Sequence, residues 1–326
     1  MIAKEDVFSI QNDEDFNRVA LEVFKYQFEN NKVYKQYVEN LHIDTSAIAH
    51  YMEIPFLPIQ FFKTQNVSTL DQNSQITFTS SGTTGMINSQ HHVYDLEWYE
   101  LSFRKAFAQF YGNIKDIAVL ALLPSYLERE GSSLIYMVDD LLQSSKQPES
   151  NYFLYNHDEL FATLAELQAK GTKTLLIGVT YALLDFVETY SIDFPELIVM
   201  ETGGMKGKRK EMIREELHQI LCTGYGVSAI HSEYGMTELL SQGYSKGQGL
   251  FQTPNWMKIL IRDTNDPLTL LQNSNTGAIN VIDLANLHSC SFIATQDLGK
   301  IYPDQSFEIL GRFDNADIRG CNLLVQ

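Results

Sequence analysis

The N-terminal part of the chain carries the apolar pattern of a helix buried along one face. Between residues 13 and 40, apolar and aromatic side chains recur at spacings of three and four residues. These positions are Phe16, Val19, Ala20, Val23, Phe24, Phe28, Tyr34, Tyr37 and Val38. Pro55 and Pro58 break the pattern and predict an extended segment, and residues 75–79, QITFT, then predict a short strand.

The middle of the chain alternates between short apolar runs and longer amphipathic stretches. Residues 116–124, DIAVLALLP, are a continuous apolar run ended by proline, as in a strand buried on both faces. Further strands are predicted at residues 152–155, 173–180, 196–204 and 226–235, and helices at 96–111, 131–143, 157–171, 180–190 and 208–221. Because parallel strands need crossovers of this length, the alternation predicts a parallel sheet with helices on its faces.

The pattern changes after Glu238. Short strand-like pieces follow, separated by Asn, Asp, Gly and Pro, which predicts a smaller antiparallel sheet. These pieces are residues 256–263, 276–284, 291–295 and 307–313. The predicted fold class is therefore α/β, with parallel or mixed sheets, flanking helices and a mainly β region near the C terminus.

Charge and composition exclude several classes of protein. The formal charge of −17 offers no net basic field to hold a nucleic acid. No apolar run approaches the roughly 20 residues of a membrane span, so we expect no membrane insertion. The acidic start lacks the apolar core of a signal peptide, which predicts a cytoplasmic location. The three cysteines have neither zinc-site spacing nor a dense, even count, so we expect reduced thiols.

A stretch rich in hydroxyl groups and glycine follows the strand predicted at residues 75–79. It reads TSSGTTG and consists of Thr79, Ser80, Ser81, Gly82, Thr83, Thr84 and Gly85. Its backbone N–H and side-chain O–H donors can wrap an anion such as phosphate. The spacing and lysine of a Walker A loop are absent, which excludes an ordinary P-loop hydrolase. Considered alone, such a stretch is in a minority of cases only a flexible surface loop.

Three later motifs supply other groups that a nucleotide needs. Residues 234–238, YGMTE, offer an aromatic ring for a base, a hydroxyl for phosphate and a carboxylate for Mg²⁺. In residues 295–299, TQDLG, Asp297 could accept hydrogen bonds from two ribose hydroxyls. Residues 311–314, GRFD, add the guanidinium of Arg312. Each motif is weak alone, and their order and spacing favour a nucleotide site.

With these motifs in this order, the sequence resembles the adenylate-forming superfamily of acyl-CoA synthetases, adenylation domains and luciferases. The resemblance covers residues 79–314. It implies that the loop at residues 79–85 lies over the β- and γ-phosphates of ATP. It also implies that Tyr234 packs on adenine, with Gly235 counted among the nucleotide-binding residues, and that Thr237 contacts the α-phosphate.

The same resemblance assigns the remaining nucleotide contacts. It implies that Glu238 binds Mg²⁺, that Asp297 binds the ribose hydroxyls, and that Arg312 binds the ribose or the adenylate. Gly203 and Gly204 resemble the family's glycine pair beside the nucleotide and the acyl group. The implied cofactors are ATP and Mg²⁺, and the implied chemistry is attack of a carboxylate on the α-phosphorus, which gives acyl-AMP and pyrophosphate. The protein mainly positions the reactants and neutralises charge.

A narrower resemblance concerns the C terminus. Family members usually continue beyond the hinge at Arg312 into a small C-terminal domain with a catalytic lysine, and we expect that domain to be missing here. The acyl-protein synthetase of the bacterial luminescence fatty-acid reductase, the LuxE type, is similar in this respect. Such proteins carry a cysteine near their end that takes the acyl group from acyl-AMP and passes it to a partner reductase of the LuxC type. Cys321 resembles that cysteine, although it could instead pack as a small apolar residue in a terminal strand.

The resemblance thus implies an AMP-forming acid–thiol ligase whose catalytic residues are Cys321, Thr237, Glu238 and Arg312. One alternative is a ligase that hands an acyl or aryl group to coenzyme A, a carrier protein or an amine. Another is a binding scaffold for nucleotide or acyl groups without turnover. The identity of the acid, the final acceptor and the oligomeric state stay open.

The domain organisation follows from the same interpretation. Residues 1–310 are expected to form the large domain, and residues 311–326 a hinge remnant and a tail with Cys321. The large domain divides into a lead-in at 1–75, an α/β nucleotide-binding core at 76–240 and a mainly β subdomain at 241–310.

Histidines receive less weight in this interpretation. His231 could line an acyl pocket or be an ordinary hydrogen-bonded core histidine. His91 and His92 are predicted to be an exposed pair in a loop.

Overall fold

The computed structural model describes residues 2–80, 87–124, 131–203, 209, 212–271 and 275–312. The helices are α1 (Lys4–Phe8), α2 (Asp13–Asn30), α3 (Lys32–Asn40), α4 (Phe61–Thr64), α5 (Leu96–Tyr111), α6 (Ser133–Ser144), α7 (His157–Lys170), α8 (Thr180–Val187) and α9 (Arg214–Tyr225). The first strands are β1 (Leu57–Pro58), β2 (Ile76–Thr79), β3 (Gln90–Val93), β4 (Ala118–Leu122), β5 (Asn151–Phe153), β6 (Thr174–Gly178), β7 (Ile198–Thr202) and β8 (His231–Tyr234). The later strands are β9 (Gly243–Ser245), β10 (Phe251–Gln252), β11 (Met257–Arg262), β12 (Leu270–Leu271), β13 (Thr276–Asp283), β14 (Phe292–Ile301) and β15 (Phe307–Arg312).

The chain divides into two compact units, and neither is continuous in sequence. The first unit consists of Met1–Ser102, Met236–Ser241 and Gln252–Gln326, and the second of Phe103–Gly235 and Gln242–Phe251. The chain therefore leaves the second unit for six residues, between Gly235 and Gln242, before it returns. The division predicted from the sequence, with a lead-in, a core and a β subdomain, stays a prediction.

The first unit is built on antiparallel strands. β11, β13, β14 and β15 pair in that order, each antiparallel to the next, and β12 pairs with the outer edge of β11. The short strand β1 joins β14 in parallel, and β2 and β3 form a separate antiparallel hairpin. The antiparallel region predicted after Glu238 is confirmed.

The helices α2 and α3 of the first unit bury one apolar face, as the spacing of their side chains predicts. They are separate helices because Asn31 ends α2 and caps α3, where its side-chain oxygen accepts a hydrogen bond from the backbone of Tyr34. Phe24 and Tyr34 both pack against the ring of Phe292 on β14. The buried amide of Gln27 on α2 donates to the carbonyl of Asn286, which ties the helix to the loop after β13.

The second unit contains the parallel sheet. Its order is β5-β4-β6-β7-β8-β9, with parallel pairing throughout except for the antiparallel pair of β8 and β9. Every residue of β4 and β6 is buried, which is typical of parallel strands covered on both faces. Helix α6 contacts β4, and α8 contacts both β7 and α9. The predicted α/β fold class is therefore confirmed.

Element boundaries differ most from the predictions at one helix and two strands: β14 extends beyond the predicted residues 291–295, and β8 is shorter than the predicted residues 226–235. The sequence predicts a helix at residues 208–221, whereas α9 spans Arg214–Tyr225. Arg209 lies before this helix and forms ion pairs with Asp185 and Glu188, the first of them very short. Helix α7 ends as predicted at Gly171, which adopts the left-handed conformation that favours glycine. In the described part of the chain, none of the helices combines the length and the apolar character needed to cross a membrane.

Candidate active-site residues

The base of the predicted phosphate loop lies in the β2–β3 hairpin of the first unit. Thr79 pairs with Gln90 at the end of the hairpin. Beyond this pair, the backbone N–H of Ser80 donates to the carbonyl of Ser89 at 3.1 Å, and the N–H of Ser89 donates to Oγ of Ser80 at 2.8 Å. Two of the seven predicted loop residues are thus fixed by hydrogen bonds. The other five, Ser81, Gly82, Thr83, Thr84 and Gly85, lie outside the described residues.

Glu238, the predicted Mg²⁺ ligand, lies in the same unit as this hairpin. Its carboxyl group is close enough to Ser89 for the hydroxyl of that residue to lower its pKa. The residue is only 6% exposed, and burial raises the pKa of its carboxyl group, although Ser89 and Arg312 oppose that shift. The negative charge of Asp297 raises the pKa further. Glu238 therefore lies within electrostatic range of the residues predicted to bind ribose.

Asp297 and Arg312 meet because β14 and β15 pair in antiparallel register. The two residues are direct partners in that register, and Nε of Arg312 donates to Oδ1 of Asp297 at 3.2 Å. The carboxylate side chain is largely buried, whereas the guanidinium side chain is 69% exposed. Motifs that lie apart in the sequence, TQDLG and GRFD, thus place a carboxylate and a guanidinium side by side. Their roles toward ribose and adenylate stay predictions.

The backbone of Thr237 and Glu238 is held by two side chains that the sequence did not single out for this role. Nδ1 of His91 donates to the carbonyl of Thr237 at 2.8 Å. Nδ2 of Asn286 donates to the carbonyl of Glu238 at 2.8 Å, and the Asn286 side chain also lies 3.1 Å from Nε2 of His91. One histidine and one asparagine therefore fix consecutive carbonyl groups in the YGMTE motif.

The prediction of an exposed histidine pair is wrong for His91. His91 lies on β3 and is 1% exposed, and burial lowers the pKa of its imidazole to about 4. Its ring packs edge to face against Phe62 at 5.7 Å. His92 is half-buried, and its Nδ1 lies 2.8 Å from the hydroxyl of Thr77 on β2. Neighbouring side chains on a strand alternate between its faces, so the two histidines have different surroundings.

The second unit contains Tyr234, Gly235 and Gly203. The ring of Tyr234 is buried and lies 6.1 Å from that of Phe251. Gly235 needs its small size, because a Cβ atom there would lie 2.4 Å from Oε1 of Glu233. Gly203 needs its conformational freedom, because its φ of 66° lies in the left-handed region. Gly204 lies outside the described residues.

Two half-buried glutamates in this unit have no counterpart among the predicted site residues. The carboxylate of Glu201 on β7 accepts hydrogen bonds from Thr180 and from Ser232, each at 2.9 Å, and lies 3.4 Å from Nε2 of His218. The carboxyl group of Glu233 on β8 accepts one hydrogen bond, from Thr202 at 2.8 Å. The signal that could have found them is a glutamate two residues before the glycine of each motif, in ETGG and in EYGM.

His231 lies in the second unit on β8 and is half-buried. The hydroxyl of Tyr111 lies within hydrogen-bonding distance of its Nδ1, at 3.2 Å. Burial and, to a smaller extent, the nearby charge of Lys246 lower the pKa of the His231 imidazole to about 4. This hydrogen bond fits the ordinary core histidine that the sequence allowed, and the alternative role in an acyl pocket stays untested.

The residues around Glu238 fit Mg²⁺ in one specific way. Among the described residues, no three His, Cys, Asp or Glu side chains cluster as a metal site would require. Mg²⁺ commonly binds one or two carboxylates together with water and the phosphates of a substrate, so a dedicated cage is not needed. Burial disfavours the charged form of Glu238, and a bound cation would compensate that cost.

Comparison with known proteins identifies two similar sequences, although no protein-family model matches the chain. The chain is 24% identical to a long-chain-fatty-acid–luciferin-component ligase of Vibrio harveyi, over 94% of this chain and 86% of that protein. It is 20% identical to a protein of the same name from Aliivibrio fischeri, with the same coverage of 94% and 86%. Both matches extend over nearly the whole chain.

Two solved structures have a similar fold. A 2-hydroxyisobutyryl-CoA ligase in complex with 2-HIB-AMP and CoA aligns over 93% of this chain and 70% of its own, with a TM-score of 0.66 and 12% identity. ATP-bound MatB from Rhodopseudomonas palustris aligns with a TM-score of 0.54 and 16% identity. That match covers 74% of this chain and 49% of MatB, so it spans about half the length of that protein.

These findings first define the class: the chain has the large-domain fold of the adenylate-forming ligases. Within that class, its sequence is similar to the luciferin-component ligases, the LuxE type. The resemblance and the fold class that the motifs predict are therefore confirmed.

Proposed function

We propose that the chain is an acyl-protein synthetase that activates a fatty acid, or a similar carboxylic acid, with ATP and Mg²⁺. In this proposal the acyl group passes from acyl-AMP to Cys321 and then to a partner reductase of the LuxC type. The reaction takes place in the cytoplasm, where ATP is available. The similar proteins from Vibrio harveyi and Aliivibrio fischeri are named as ligases of long-chain fatty acids, which supports this substrate class.

One observation in the first unit carries the adenylation step of the proposal. Glu238, Asp297 and Arg312 come from three separate motifs, yet their charges act on one another. A buried carboxylate suited to a cation and an exposed guanidinium beside a second carboxylate are the groups that the polyphosphate and ribose of ATP require. Ser89, whose hydroxyl lowers the pKa of Glu238, also hydrogen-bonds to Ser80 at the start of the phosphate loop.

The proposed chemistry has two steps. A carboxylate oxygen of the acid attacks the α-phosphorus of ATP, and the bond to pyrophosphate breaks. Thr237 would donate to the α-phosphate, Arg312 would bind the adenylate, and Mg²⁺ on Glu238 would neutralise charge on the leaving group. The thiolate of Cys321 then attacks the acyl carbonyl, AMP leaves, and a thioester forms on the protein. Cys321 lies outside the described residues, and its role rests on the sequence resemblance.

Labelling of the protein by a fatty acid tests both steps. We expect a radiolabelled fatty acid to form a covalent acyl-protein only when ATP and Mg²⁺ are present, and hydroxylamine to cleave that bond as it cleaves thioesters. Cys321→Ala should abolish labelling while it leaves pyrophosphate release intact. Cys222→Ala is the matched control, because this half-buried thiol has a pKa raised by burial and should not matter.

The other outcomes separate the alternatives. Equal labelling of the wild type and Cys321→Ala would reject the cysteine as acceptor. If labelling fails but pyrophosphate forms and coenzyme A or an amine becomes acylated, the chain is an acyl or aryl ligase. If a panel of fatty acids releases no pyrophosphate, the adenylation proposal itself is wrong and a binding scaffold is favoured.

A further inference from the structure

We propose that His91 is a positioning residue that couples the predicted phosphate loop to the predicted metal-binding segment. The inference rests on the proposed function for its consequence in catalysis, but its structural part can be tested without activity. It concerns only the first unit, where β3 and residues 236–241 both lie. No contact of His91 with substrate is proposed.

The argument starts from strand β3 and the residue before it. Ser89 and His91 lie two positions apart, so their side chains point to the same side of the extended chain. From that side, His91 donates to the carbonyl of Thr237, and the hydroxyl of Ser89 lowers the pKa of the Glu238 carboxyl group. One edge of the hairpin therefore contacts the backbone of Thr237 and acts on the side chain of the next residue.

The other strand of the hairpin leads directly into the phosphate loop. β2 ends at Thr79, and Ser80 is fixed to Ser89 by two hydrogen bonds in opposite directions. A shift of β3 would therefore displace the start of the loop and the Thr237–Glu238 segment together. This coupling matters for transfer of a nucleotide phosphate, because misplacement of reacting groups by about 1 Å can cost on the order of a hundredfold in rate.

His91 is well suited to hold this position. It is 1% exposed and packs against Phe62, so its ring has little freedom to rotate. The side chain of Asn286 also lies next to the ring, with its Oδ1 3.1 Å from Nε2. Nδ2 of Asn286 in turn donates to the carbonyl of Glu238. Loss of the imidazole would leave the carbonyl of Thr237 without its donor, which costs free energy where water does not replace it.

His92 supplies a matched control on the same strand. It is also a histidine on β3, but its partner is Thr77 within the hairpin. Replacement of either histidine by phenylalanine removes one imidazole from β3. Only His91→Phe should disturb residues 236–241.

The experiment measures hydrogen–deuterium exchange and kinetics on the full chain. In His91→Phe, we expect amide exchange in peptides covering residues 236–241 to become at least about tenfold faster, with no such change in His92→Phe. In ATP–pyrophosphate exchange, kcat should fall by about tenfold to a hundredfold, while KM for the fatty acid changes by less than about threefold. His91→Gln, whose amide can still donate to the Thr237 carbonyl, should recover part of the lost kcat.

Each outcome decides one question. Unchanged exchange at residues 236–241 in folded His91→Phe would overturn the inference, whatever the kinetics show. Equal effects of His91→Phe and His92→Phe would also overturn it, because a general weakening of the hairpin would then explain both. If His91→Phe fails to fold, the comparison of His91→Leu with His92→Leu replaces it under the same criteria, because leucine also lacks a donor. If only the fast exchange is observed and the wild type forms no pyrophosphate, the coupling stands and the proposed function fails.

Discussion

Glu201 and Glu233 occupy equivalent positions on neighbouring strands of the second unit, yet burial affects them differently. Each stands two residues before a glycine that the nucleotide motifs single out. Burial raises the pKa of Glu201, but hydrogen bonds from His218, Thr180 and Ser232 outweigh it and lower the pKa below its usual value. Burial raises the pKa of Glu233 to about 7, because the single hydroxyl of Thr202 offsets only part of the cost.

The difference shows that donors around a carboxylate decide its charge when burial is similar. A carboxylate that gives up water keeps its charge only if protein donors replace the lost hydrogen bonds. Glu201 is therefore a charged anchor for the end of β7, where Thr180 also lies 3.0 Å from the carbonyl of Gly203. Glu233 instead titrates near neutral pH beside Gly235. Three experiments test this contrast.

Removal of the charged anchor should have the largest effect. Glu201→Ala leaves the hydroxyl of Ser232 without its acceptor, and Thr180 with the carbonyl of Gly203 as its remaining acceptor, so we expect a loss of about 3 kcal/mol in the free energy of unfolding. Urea denaturation monitored by circular dichroism would measure it. Glu201→Gln keeps an acceptor oxygen and should lose less. A loss below about 1 kcal/mol in Glu201→Ala would mean that these hydrogen bonds contribute little.

The titration of Glu233 should produce the second largest effect. Its pKa in the folded state, about 7, lies above its ordinary value of 4.5. The folded state therefore binds the proton more tightly, so this contribution to stability is complete below pH 4.5 and is lost as the pH rises through 7.

The measurement compares the wild type with Glu233→Gln. Between pH 5 and pH 8 we expect the free energy of unfolding of the wild type to fall relative to the variant by about 2 kcal/mol. The difference between the two proteins removes the contributions of other groups, including His91 and His231. Parallel pH curves for the two proteins would contradict the raised pKa.

The smallest effect is expected at Gly203 and Gly235, which should differ in how strongly their replacement is coupled to Glu233. Gly235→Ala places a Cβ atom against the carboxyl group of Glu233, whereas Gly203→Ala forces a side chain into a left-handed conformation. In a double-mutant cycle, the loss in free energy of unfolding caused by Gly235→Ala should therefore be smaller by about 1 kcal/mol when Glu233 is also replaced by alanine. The loss caused by Gly203→Ala should be the same with and without Glu233→Ala. Equal coupling to Glu233 at both positions would contradict the view that Gly235 is limited by the space beside Glu233 and Gly203 by its backbone conformation.

Much of the fold follows from local patterns. The apolar runs that became β4 and β6, and the helical spacing of α2, depend on a few neighbouring residues and are visible in the sequence. The start of α9 was less clear, because the charged residues from 208 onward continue a helical composition before the helix begins at Arg214. Helix ends depend on capping and on tertiary contacts, which composition alone does not specify.

From the sequence, only those residues of the candidate site that belong to a recognisable motif could be predicted. The pairing of Asp297 with Arg312 agrees with the motif order, because antiparallel strands bring the two motifs together. The burial of His91 could not be predicted, since its partners Thr237 and Asn286 lie 146 and 195 residues away. Contacts at such separations depend on the assembled fold. The pair Glu201 and Glu233 was missed for the same reason.

The interrupted sequence of the first unit has a consequence for synthesis on the ribosome. The side-chain amide of Gln27 cannot form its hydrogen bond to the carbonyl of Asn286 until that residue has been translated, 259 residues later. At roughly 5–20 residues per second, that interval lasts on the order of tens of seconds. Residues 103–251 can collapse during this time, while the apolar face of α2 stays exposed to other chains. The nascent N-terminal helices are therefore where a chaperone has the longest opportunity to bind.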